Sequence, residues 1–195
     1  YKRQGKLISK SKKLVYVSED LINEAIEAAR RDGKSLGAFV EESLKLALSA
    51  RRIGYDLKEA SDLLKVIRAN RTLGGAYIPM DILNHLFKAA YKNKPKKIRE
   101  KWYESGMLHG KYLKEKFEDP IQAFKTFLEV ARWDLNEVEV QKNGDTIKFR
   151  CFSTILTEEG TDMLLKYVEG VFHGIGYKTI RNDHMKGMII LEFKH

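Results

Sequence analysis

Apolar and polar positions along the chain fall into two rhythms, and they change over near residue 137. Leu21, Ile22, Ala25, Ile26 and Ala29 recur at three-four spacing after Ser18-Glu19-Asp20, which predicts a helix that stops at Gly33. A second helix follows from Ser35, with Leu36, Phe39, Val40, Leu44, Ala47 and Leu48 on one face up to Arg51-Arg52-Ile53-Gly54. The same period predicts helices over 57–69, 80–91 and 98–117, and another opened by Asp119-Pro120. From Glu137 the spacing becomes two. Glu137 to Gln141 and Thr146 to Phe152 alternate around Asn143-Gly144, which predicts an antiparallel hairpin. A helix after Thr157, with Leu164, Leu165, Val168, Val171 and Phe172, then leads to two last strands, Tyr177 to Ile180 and Met188 to Phe193. Helices beside a small antiparallel sheet make an α+β chain.

One short segment in front of these helices has a different character. Lys12-Lys13-Leu14-Val15-Tyr16-Val17 alternates like a strand and runs directly into the first helix pair. One strand and two short helices cannot close a core, so the apolar face with Val15 and Val17 needs a second copy to pair with. The product would be an intertwined dimer presenting a two-stranded ribbon of a width that fits the DNA major groove. At these residues the chain resembles the Arc/MetJ ribbon-helix-helix family. The resemblance implies that Lys12, Leu14 and Tyr16 face the groove, and that Lys34 and Ser35, at the start of the second helix, clamp a phosphate. A helix start with free amides favours phosphate on its own account. Leu14 at the central outward position can touch only a thymine methyl, which implies weak base selectivity.

Charge sharpens the division. Residues 1–54 carry 12 Lys/Arg against 7 Asp/Glu, residues 55–101 carry 11 against 5, and residues 102–195 carry 13 against 15, for a net charge of +9. A basic front and a near-neutral back suit a nucleic-acid module joined to a module with another task. The opening residues 1–13, with Lys10, Lys12 and Lys13 among six cations and no acid, are expected to form an arm that orders on phosphates. The expected domains are 1–54 for the arm and ribbon-helix-helix module, 55–75 for a linker helix, and 76–195 for a rear domain.

The rear domain has two glycine-marked stretches, Tyr103-Glu104-Ser105-Gly106-Met107-Leu108-His109-Gly110 and Tyr167-Val168-Glu169-Gly170-Val171-Phe172-His173-Gly174. With the closing Lys186 to Phe193 they resemble the 4-vinyl-reductase-type sensor domain, related in fold to haem-NO-binding-associated domains and to a vesicle-tethering subunit family. That resemblance implies binding of a small hydrophobic molecule or dimerisation. The paired cysteines of metal-binding members are missing here. Small residues four apart equally serve plain close helix packing. Trp102, Met107, Trp133, Phe152 and Phe172 are the expected apolar ligand wall, each of them also a candidate for ordinary core.

Catalytic and metal signatures do not arise. Cys151 is the only cysteine, the histidines lack metal-ligand spacing, and neither a nucleophile elbow nor a phosphate-binding glycine loop occurs. No enzyme activity, cofactor or metal is expected. No apolar run approaches the roughly 18 residues of a membrane span, and the start has no apolar signal core, so a cytoplasmic, nucleoid-associated protein is expected. The sequence therefore predicts a transcriptional regulator that acts as a homodimer or higher even oligomer, with double-stranded DNA and a small hydrophobic ligand as partners. An antitoxin-like or scaffold dimer, and a sequence-tolerant nucleoid protein, remain as alternatives.

Overall fold

The computed structural model describes residues 13–76, 78–132 and 134–195. Lys10, Lys12 and Trp133 therefore lie outside the described residues. The chain divides after Leu57 into two units. Among the described residues no helix is long and apolar enough to cross a membrane.

In the first unit an extended segment, residues 13–18, enters α1 (Glu19–Arg31), and a turn at Gly33 leads to α2 (Leu36–Arg52). Ser18 occupies the N-cap of α1 through its carbonyl, which accepts from the Ile22 amide at 3.1 Å, and its hydroxyl makes no capping bond. Ser35 does cap with its side chain, accepting from the Ala38 amide at 3.3 Å. Gly33 takes φ +66°, which lets the Lys34 amide reach back to the Ala29 carbonyl at 2.9 Å and end α1. Among the described residues of this unit Ala29 alone is buried.

α3 (Leu57–Thr72), the expected linker helix, belongs to the second unit from Lys58 on, places Val66 in the core and buries Ala69. Then come α4 (Met80–Asn93), α5 (Pro95–Lys116) and α6 (Pro120–Ala131). α5 starts three residues before the expected Ile98, because Pro95 at its first position has the φ a helix needs and no amide to leave unpaired. β1 (Glu137–Asn143) and β2 (Thr146–Phe152) form the hairpin, and α7 (Glu158–Ile175) crosses to β3 (Lys178–Met185) and β4 (Met188–Lys194). The hairpin turn is Gly144-Asp145, one residue later than expected, since Asn143 pairs with Thr146 and the positive φ falls on Gly144. β3 runs on to Met185, well past Ile180.

The sheet is wholly antiparallel in the order β1-β2-β4-β3. Period-two alternation turns Ile147, Phe149 and Cys151 of β2 inward, directly opposite Phe193, Leu191 and Ile189 of β4. These six side chains meet α6 and α7, so helices cover one face of the sheet. The whole is α+β. Burial pushes the Cys151 thiol up to about 12, as for an inert core residue.

Candidate nucleic-acid surface and ligand pocket

In the first unit the expected DNA-facing residues occupy two places. Lys13, Leu14 and Tyr16 lie on the extended segment, where Leu14 is 83% and Tyr16 92% exposed. Val15 and Val17, expected to point inward, are exposed as well. A lone strand has no ladder to join, so its apolar face meets nothing within one chain. Lys34 and Ser35 stand together at the start of α2. Lys34 Nζ is engaged with Glu42 at 2.5 Å and lies 4.0 Å from Asp32, and the hydrogen bond to Glu42 raises its pKa. A phosphate at this turn would have to share Lys34 with two carboxylates. Ser35 Oγ accepts its capping bond and keeps its proton to donate.

The two glycine-marked stretches of the second unit lie on α5 and α7, and the helices pack parallel with their backbones in contact. A Cβ on Gly106 would overlap the Tyr167 carbonyl, and one on Gly170 the Tyr103 carbonyl. Gly110 against Val171 and Gly174 against Met107 repeat this one turn on. The helices carry one pattern, Tyr-x-x-Gly-x-x-His-Gly, with every element 64 positions apart: Tyr103 and Tyr167, Gly106 and Gly170, His109 and His173, Gly110 and Gly174. Each tyrosine bonds the other helix's histidine. Tyr103 Oη meets His173 Nδ1 at 2.8 Å, and Tyr167 Oη meets His109 Nδ1 at 2.5 Å.

The two histidines nonetheless differ. The Thr179 hydroxyl and amide both meet His173 Nε2, at 2.8 and 3.3 Å, so both ring nitrogens of His173 have partners. His109 has the Tyr167 hydroxyl on Nδ1. His109 Nε2 is buried with no hydrogen-bond partner. The residue is 2% exposed, with the Phe127 ring 4.5 Å away edge-on. Burial lowers its pKa to about 4, so the ring is neutral at pH 7. Burial also raises the Tyr167 phenol.

His109 lines a pocket of about 320 Å³ between α3, α5 and α6. Val66, Leu113, Phe117 and Phe127 form apolar wall, and Lys65 and Asp62, paired at 3.0 Å, stand among the polar lining residues. Lys58, Glu118, Asp119, Gln122 and Thr126 complete the lining, so the pocket combines an apolar wall with polar groups that could orient a small molecule. None of the four described members of the expected aromatic wall lines it. Phe172 is fully buried against Phe193, with rings 4.1 Å apart, and Phe152 is exposed on the outer face of the sheet. Trp102 packs edge-on to Phe87 and Tyr167, and Met107 is half-buried on α5. These four do not converge on one cavity. A reading of the stretches for their glycines passes over His109, though the 64-residue repeat is the signal that singles it out.

Among the described residues no group of three or more His, Cys, Asp or Glu is placed to hold a metal ion. In comparison with known proteins, the chain matches no family model and no curated relative.

Proposed function

We propose that the chain is a homodimeric DNA-binding regulator whose second unit senses a small apolar molecule. The observation that carries this is the poverty of the first unit's core. α1 and α2 bury only Ala29 among the described residues, while Leu21, Ile26, Val40, Leu44 and Leu48 remain exposed at helical spacing. Helices this short are marginal without tertiary packing, so a second copy must supply it. Pairing the extended segments would bury Val15 and Val17 and turn Tyr16 and its alternate neighbours outward together.

The double variant Lys12→Ala with Tyr16→Ala should lose retention of duplex DNA while sedimenting as a dimer. Unchanged binding would sink the ribbon assignment. For the second unit, the pocket offers the apolar wall of Val66, Leu113, Phe117 and Phe127, with the Lys65–Asp62 pair beside it, to a small and mostly apolar ligand that carries a carbonyl or ether oxygen. Small ketones and esters should raise the thermal midpoint of the parent chain and leave that of Leu113→Trp, which fills the pocket, unmoved.

Leu14 favours a second reading, a protein that coats DNA with little regard to sequence. It is the central outward residue and has no hydrogen-bonding group. Equal affinity for unrelated duplexes at every salt concentration would establish that reading over the first.

A further inference from the structure

The densest positive charge of the second unit lies where α4 turns into α5. Lys88, Lys92, Lys94, Lys96 and Lys97 fall within ten residues that contain no acid, and all five are exposed. Among the described residues none of the five joins an ion pair. The next two cations are neutralised, Arg99 by Asp162 at 3.1 Å and Lys101 by Glu104 at 2.5 Å.

Local rules disfavour such a cluster. Lys88 and Lys92 stand four apart on α4, where like charges repel. Lys96 and Lys97 occupy the first turn of α5, which has no acid, and oppose the helix dipole there. Charge held against both rules does nothing for the fold, and an external polyanion would relieve it. The surroundings narrow that polyanion. Ile82 and Leu86 are exposed earlier on α4, but among residues 88–101 no large apolar side chain is, so the lysines are not interleaved with the apolar wedge by which basic helices enter a bilayer. Tyr91 and Trp102 are half-buried, so no free ring is offered for stacking on an unpaired base. Lysines alone fit a phosphate backbone.

We propose that this corner is a second, sequence-independent contact to the phosphates of duplex DNA, made by the second unit in addition to the first; it rests on the DNA-binding reading above. The test measures binding of a labelled duplex by the full chain across a salt series. The set Lys92→Gln, Lys94→Gln, Lys96→Gln and Lys97→Gln should make the plot of log affinity against log salt shallower by about 0.9 for each phosphate that is no longer neutralised. The matching set of Lys→Arg changes should keep the parent slope. An unchanged slope in the glutamine set overturns the proposal. So does a parent chain that prefers single-stranded RNA or phosphatidylserine vesicles to duplex DNA. The two readings fail separately: if Lys12→Ala with Tyr16→Ala binds like the parent while the glutamine set does not, the ribbon assignment falls and the corner stands.

Discussion

His109 and His173 occupy matching positions in a repeated pattern, yet only one of them has a second hydrogen-bond partner. Thr179 completes His173. His109 has no such neighbour, and its burial makes pH a lever on the fold. The unfolded chain takes up a proton at this ring below the ordinary pKa of 6.5, whereas the native ring refuses it until about 4. Stability from this residue is therefore complete above pH 6.5 and is lost as pH falls through that window. Between pH 7 and pH 5 the loss amounts to about 2 kcal/mol, and His109→Gln, which keeps a hydrogen-bond partner for the Tyr167 hydroxyl, should show that much less dependence in urea unfolding. The glycines give a second test at this scale. Gly170→Ala drives a methyl group into the Tyr103 carbonyl, so α5 and α7 must separate, at a cost of about 2–4 kcal/mol by the same measurement.

At the scale of elements, periodicity placed the helices from α1 to α7, the hairpin of β1 and β2 and the last two strands, because burial on one side imposes a period of 3.6 or 2 on the sequence itself. What it misplaced were ends. α5 began early at a proline and β3 ran on to Met185, because an edge strand with mostly exposed side chains carries little alternation to read. The extended segment before α1 belongs here too. Its alternating Leu14 to Val17 is a strand pattern without a strand bond in one chain, since pairing requires a second edge. Val15→Lys together with Val17→Lys should therefore abolish dimerisation, seen as a monomer by sedimentation, while the far-ultraviolet signal of the sheet-bearing unit persists. A variant that remains dimeric would show that these valines do not form the interface.

For the whole molecule, the division after Leu57 sets unequal halves. The second unit owns the entire hydrophobic core cluster, from Val66 on α3 to Phe193 on β4, and should unfold cooperatively as residues 58–195 alone, at a midpoint independent of concentration. Residues 1–57, with one buried alanine among those described, should gain helix only as concentration rises, which circular dichroism across a dilution series would reveal. The sequence by itself determined the α+β class, the order of elements and the basic front, because patterning and charge are properties of residue order. It also contained the Tyr-Gly-His repeat. Only the tertiary structure decided that the two copies of this repeat face each other, that α3 contributes Val66 to the core, and that His109 lines a pocket with one nitrogen unpartnered. Those facts depend on pairings across 58 residues and more, between His109 and Tyr167, and on which neighbour each ring meets. Local spacing has no access to either.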